Sequence, residues 1–179
     1  MTPKEKDKIE IREYSNQVLD SKRWIDTSID LLNSVKVLEP IVRNRWLSFN
    51  NSQGNVRSLM IHKTFLFLIG LSLENLLKSR IVKFHSKNLQ AELKKTGKLP
   101  TILKGNHDLS KYAIEARITL TSEQEELLKR LSRAIKWSGR YAFPPSYKSW
   151  SFDDYSLDDI DKMKNLCNNI YQLVIQENI

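Results

Sequence analysis

Apolar positions recur at helical spacing along most of the chain. Val18, Ile25, Ile29, Leu32 and Val35 do so with charged residues between them, which predicts a helix over about 15–38 with one buried face. Pro40 is expected to kink or restart that helix, and IVRNRWLSF at 41–49 to add a further helical stretch. NNSQGN at 50–55 has the composition of a loop. A long helix over about 56–85 follows, with Phe65, Leu66, Phe67, Leu68, Ile69, Leu71, Leu73, Leu76 and Leu77 placing apolar groups on nearly every side. A helix hydrophobic all round belongs at the centre of a bundle. Residues 86–105 are polar and contain Gly97, Pro100 and Gly105, so they predict a long connection. Asn106 is placed to cap a short helix at 107–117.

Thr121 or Ser122 starts the next helix, each with a capping-box partner three residues on, Gln124 or Glu125. Leu127, Leu128, Leu131, Ala134 and Ile135 form its stripe, and Gly139 is the expected stop. RYAFPPSYKSWSFDDY reads as irregular chain. Ser156 caps a last helix from Leu157 to about Gln176, whose Ile160, Met163, Cys167, Ile170 and Val174 make one apolar seam. Residues 1–13 are charged and read as a flexible, solvated lead-in. The expectation is one all-α domain over residues 1–179, a bundle of about five helices around a long central buried one, with no internal repeat.

Composition agrees. Gly and Pro are scarce, five of each, and 40% of the 179 residues are hydrophobic, enough to build a core without many turns. The longest apolar run, FLFLIGL at 65–71, falls far short of the roughly 20 residues of a membrane helix. The first residues, MTPKEKDKIEIRE, lack the apolar core of a signal peptide. A cytoplasmic protein with no membrane partner is the expectation. Cys167 is the single cysteine, so no intrachain disulfide forms. The formal charge of +8 suits an anionic partner such as RNA, and equally a merely basic surface.

The central helix raises a chemical question, because its apolar middle carries Glu74 and Lys78. Four apart with the acid first, they face each other on a helix in the favoured order. If buried they must pair with each other or with groups from neighbouring helices, since an isolated buried charge is costly. The plain alternative puts both on a polar edge in water. His107 stands at an expected helix start, where a local hydrogen bond is the simple role. Asp153, Asp154, Asp158, Asp159 and Asp161 cluster near the last helix without the glycine and closing Glu of an EF-hand, and complement the helix dipole. Three scattered His and one Cys give no zinc spacing, and neither a phosphate-cradling Gly-rich loop nor a nucleophile elbow is present, so no cofactor or metal is expected. Tyr141, Phe143, Tyr147, Trp150, Phe152 and Tyr155 crowd beside Arg140 and Lys148. Bases stack on such rings while cations hold phosphates; the same rings also serve to anchor a long connection.

Three segments taken in order carry a family resemblance: GLSLENLLK at 70–78, GNHDLSKYA at 105–113 and WSGRYAFPP at 137–145. Together they resemble the HEPN superfamily of helical bundles. Its members often carry G-aromatic-x-x-E-x-x-L-K on a central helix, then a His-Asp-Leu helix start; here Leu71 stands at the aromatic position. The resemblance implies a bundle of about five helices, often a homodimer, and an RNA-directed toxin, defence nuclease or RNA-processing factor, with a protein partner or antitoxin in some settings. The family's nucleases use Arg-x(4–6)-His without a metal, usually with one motif from each protomer in a shared cleft. Arg57-SLMI-His62 and Arg80-IVKF-His85 match that spacing, but both fall on the central helix, whereas the family's motif lies on a later one. Arg57 with His62 is the better of the two, its plain alternative being a solvent-exposed pair at a helix start. Arg130, Arg133 and Arg140 on later helices have no following His. The functional reading therefore makes His107 the acid or base, Arg140 its cationic partner, and Glu74 and Lys78 the groups beneath. Arg140, Tyr141 and Lys148 are then the RNA contacts. The competing class is a non-catalytic dimerisation or protein-interaction module.

Overall fold

The computed structural model describes residues 3–51, 60–138 and 156–176. Among them every regular element is helical: α1 Pro3–Leu19, α2 Ser21–Asn51, α3 Met60–Thr96, α4 Thr101–Lys104, α5 Leu109–Glu115, α6 Ser122–Arg133 and α7 Leu157–Gln176. The all-α expectation holds. The count is seven rather than about five, because the expected first helix divides and a short α4 stands in the expected connection. No helix among the described residues is long and apolar enough to cross a membrane.

The first difference lies at Asp20. The chain breaks there rather than at Pro40, since the Asp20 carboxylate accepts from the Lys22 amide at 3.1 Å and starts α2 afresh. Pro40 lies inside the 31-residue α2. The lead-in is exposed over residues 5–10, as a charged stretch should be, yet it is already helical.

A second difference extends the central helix. At His85 the backbone leaves helical geometry (φ −112°, ψ 16°), close to the expected end, but helix resumes and runs to Thr96. Two leucines carry the extension. Leu89 and Leu93, one turn apart, are both buried in the core. So residues 86–96 of the expected connection form an amphipathic helix, and only the turns around Gly97 and Gly105 remain irregular. Asp108, not Asn106, caps the next helix, accepting from the Lys111 amide at 3.3 Å. Thr121 rather than Ser122 forms the capping box, with Gln124. Beyond α6 the helix widens into a π-helical turn, Ala134–Ser138. Ser156 and Asp159 cap the start of α7 reciprocally. The expected stop at Gly139, the irregular segment 140–155 and most of the loop at 50–55 lie outside the described residues.

α3 is the axis. It packs along α2 and also against α1, α5, α6, the π-turn and α7. Phe65, Leu66, Ile69, Leu73, Leu76 and Leu77 are fully buried, and Phe67, Leu68 and Leu71 pack at the core edge. The α7 seam of Ile160, Met163, Cys167, Ile170 and Val174 is buried throughout. Three small residues let the neighbours approach closely. Ser28 on α2 and Ser72 on α3 hydrogen-bond side chain to side chain at 2.7 Å inside the core. Gly70 faces the π-turn, where an added Cβ would sit 2.6 Å from Ile135 Cγ2.

Candidate functional site

Glu74 and Lys78 are both buried, 4% and 8% exposed, so they do not form a polar edge in water. Their helical spacing brings Lys78 Nζ to 2.5 Å from Glu74 Oε1. The other carboxylate oxygen, Oε2, lies 2.8 Å from His107 Nδ1. An ionised carboxylate only accepts, so Nδ1 carries the proton in this contact. The His107 side chain is 30% exposed, while the carboxylate beneath it is enclosed.

Lys78 does not rely on Glu74 alone. Its ammonium sits 5.5 Å from the Trp24 ring centre and 5.2 Å from that of Tyr112. Two electron-rich faces and one carboxylate replace the water the cation gave up. Three elements therefore meet at this charge: α2 through Trp24, α3 through Glu74 and Lys78, and α5 through Tyr112.

Local chemistry sets the position of His107. Its backbone takes φ 59°, a left-handed conformation that a residue with a Cβ holds only when its surroundings require it. Downstream, the Leu109 amide donates to Ser132 Oγ at 3.0 Å, tying the first turn of α5 to α6. Upstream, Gly105 has φ 37° and lies against the Tyr112 hydroxyl, where any Cβ would collide with that ring. A glycine is needed there for both backbone and space. Burial pushes the Tyr112 phenol well above its ordinary pKa, and the nearby carboxylates of Glu74 and Asp108 push it further, so it stays neutral.

Three of the four residues expected to converge do meet, Glu74, Lys78 and His107. Arg140, Tyr141 and Lys148 lie outside the described residues, as does Arg57. His62 is not the exposed helix-start residue considered from sequence. It is 5% exposed, with its ring centroid 5.3 Å from that of Trp46. Burial lowers its pKa to about 4, and the Arg130 guanidinium adds to that while Asp159 opposes it. In the second spacing match, His85 Nε2 lies 3.3 Å from the Glu115 carbonyl oxygen and the Arg80 guanidinium 5.2 Å from the Phe84 ring. Both make contacts away from Glu74.

Within the acidic cluster, Asp158, Asp159 and Asp161 go into ion pairs, while Asp153 and Asp154 lie outside the described residues. Asp159 takes both Arg130 nitrogens at 3.1 Å, Asp161 pairs with Arg43 and Asp158 with Lys162. Among the described residues no group of three or more His, Cys, Asp or Glu could hold a metal ion.

Sequence reasoning missed Trp24 and Tyr112. Tyr112 had a faint signal, since it lies one turn beyond the Asp108 cap and so on the inward face of α5. Trp24 had none, because its contact with Lys78 crosses from α2 to α3. Compared with known proteins, the chain matches no family model, no curated protein and no solved structure.

Proposed function

We propose that the protein is an HEPN-like, RNA-directed bundle that cleaves RNA without a metal, acting as a homodimer in a prokaryotic toxin or defence setting. One observation carries the chemistry: a buried carboxylate holds the Nδ1–H of a partly exposed imidazole. That is how a general base is fixed in one tautomer and one orientation. The resemblance of the three segments supplies the substrate class and the setting, and the net charge of +8 suits a polyanion.

In this reading His107 Nε2 takes the proton from an RNA 2′-hydroxyl. The 2′-oxygen attacks the adjacent phosphorus and the bond from phosphorus to the 5′-oxygen breaks. The departing 5′-oxygen takes up a proton, leaving a 2′,3′-cyclic phosphate and a 5′-hydroxyl. Glu74 orients the imidazole and offsets the imidazolium charge. Lys78 holds Glu74 in place and does not touch substrate. Arg140 is assigned to the charge that builds on the phosphate, and Tyr141 and Lys148 to the flanking nucleotides.

A second reading also has an observation behind it. The Glu74–Lys78 pair, enclosed by Trp24 and Tyr112, ties three helices together whether or not chemistry occurs. On that reading the bundle is a dimerisation or protein-interaction module.

The deciding assay incubates the protein with single-stranded RNA in EDTA. Cleavage should leave 2′,3′-cyclic phosphate ends, and His107→Ala should lower the rate about 10²- to 10⁴-fold while the fold is retained. His62→Ala should cut at a rate close to that of the parent. If the parent makes no cyclic ends, or His107→Ala cuts as well as the parent, the nuclease reading fails. The interaction-module reading then stands, and predicts retention of RNA or protein on a column without cutting.

A further inference from the structure

A shallow, largely open groove of about 240 Å³ lies between α1, the start of α2 and the middle of α3. Its walls carry two aromatic rings, Tyr14 and Trp24, two amides, Gln17 and Asn75, and the Arg23 guanidinium; no carboxylate among the described residues lines it. The Trp24 indole N–H donates to the Val18 carbonyl at 2.9 Å, which fixes the ring. Lys78 lies over that same ring, so one indole joins this groove to the Glu74–Lys78–His107 cluster. Asn75, next to Glu74 in the chain, donates its amide to the Leu71 carbonyl at 2.7 Å and so is held with its side-chain oxygen as an acceptor. Among the described residues Arg23 has one ion-pair contact, 3.6 Å to Asp20, with both side chains exposed, which binds the guanidinium only weakly.

We propose that this groove holds a nucleobase together with its phosphate, as single-stranded RNA presents them. Each wall has a matching part. A planar base stacks on Tyr14 and on the edge of Trp24, Gln17 and Asn75 hydrogen-bond to the base edge, and Arg23 takes the phosphate. The lack of a lining carboxylate disfavours a cationic ligand. The volume lies below the roughly 300–1,000 Å³ of sites for drug-sized molecules, which suits one base rather than a large cofactor. This assignment rests on the RNA reading above and gives it a place where the strand is gripped apart from the place where it is cut.

The test uses the full chain and a fluorescein-labelled, 2′-O-methyl RNA octamer, which binds but cannot be cleaved by 2′-hydroxyl attack. Anisotropy gives the affinity, with adenosine and uridine 5′-monophosphates as competitors. Tyr14→Ala should weaken binding about tenfold. Arg23→Ala should reduce the slope of log affinity against log salt by about 0.7, the value for one phosphate contact on a single strand. Both side chains are exposed, and circular dichroism checks that the variants fold. In cleavage of unmodified RNA the same variants should raise KM and leave kcat near the parent value. The proposal is overturned if both variants bind like the parent, if the octamer does not bind, or if only the mononucleotides bind, which would assign the groove to a free nucleotide. Variants that bind like the parent leave the cyclic-phosphate assay untouched, so the groove can fail while the nuclease reading survives; an octamer that does not bind counts against both.

Discussion

Lys78→Met is the substitution that tests the central cluster most directly. Methionine keeps nearly the same length and volume between Trp24 and Tyr112 and removes only the charge. The Glu74 carboxylate, 4% exposed, then keeps His107 and loses the ammonium 2.5 Å away. Breaking a buried ion pair from one side costs about 3–5 kcal/mol, and the hydrogen bond that His107 still makes to the carboxylate places the loss at the lower end of that range. The lost cation–π contacts lie within that figure. Replacing both partners by apolar residues of similar size should be close to neutral or stabilising by about 1–4 kcal/mol. Glu74→Leu with Lys78→Met should therefore recover most of what the single change loses. His107 tolerates that loss because it is partly exposed to water. Urea unfolding at pH 7, followed by circular dichroism, gives each free energy and closes the double-mutant cycle. A coupling energy below about 1 kcal/mol would refute the buried-pair argument. The double variant also separates stability from the proposed chemistry, since it should fold well yet show none of the proposed RNA cleavage with its carboxylate gone.

Gly70→Ala should destabilise the bundle by about 1–3 kcal/mol, because its Cβ would meet Ile135 Cγ2 at 2.6 Å and the Leu131 carbonyl at 3.2 Å; Ile135→Val should restore part of the loss in thermal unfolding. His62 has a folded-state pKa near 4 against an ordinary 6.5, so the unfolded chain binds more protons between those values and stability falls as pH drops through that window. The loss should reach about 3 kcal/mol by pH 4, and His62→Leu should flatten the urea midpoint against pH over that range; a parallel curve would rule the coupling out. Cys167 is buried and its thiol is pushed up to about 12, so Ellman's reagent should leave it unmodified in the folded protein and react once urea unfolds the chain.

What the sequence by itself determined was whatever depends on neighbours within about one turn. The α7 seam, the Thr121–Gln124 capping box, the Ser156 start and the facing of Glu74 with Lys78 are all local relations, and each holds in three dimensions. The all-round apolar middle of α3 likewise left it no place but the centre. Local signals misled where two rules competed. Pro40 looked like the break, yet the Asp20 cap makes it. Residues 86–96 looked like a connection because two leucines among polar neighbours are a faint stripe, and packing against the bundle turned that stripe into helix. Only the tertiary structure decided whether the Glu74–Lys78 pair lies in water or in the core, since burial is set by helices distant in sequence. The same holds for His107, which reaches Glu74 across 33 residues of chain, and for Trp24 and Tyr112, which close around Lys78 from two other helices. No spacing along a chain encodes such a meeting. It follows from the desolvation cost of a buried ammonium, which only groups assembled from several helices can offset.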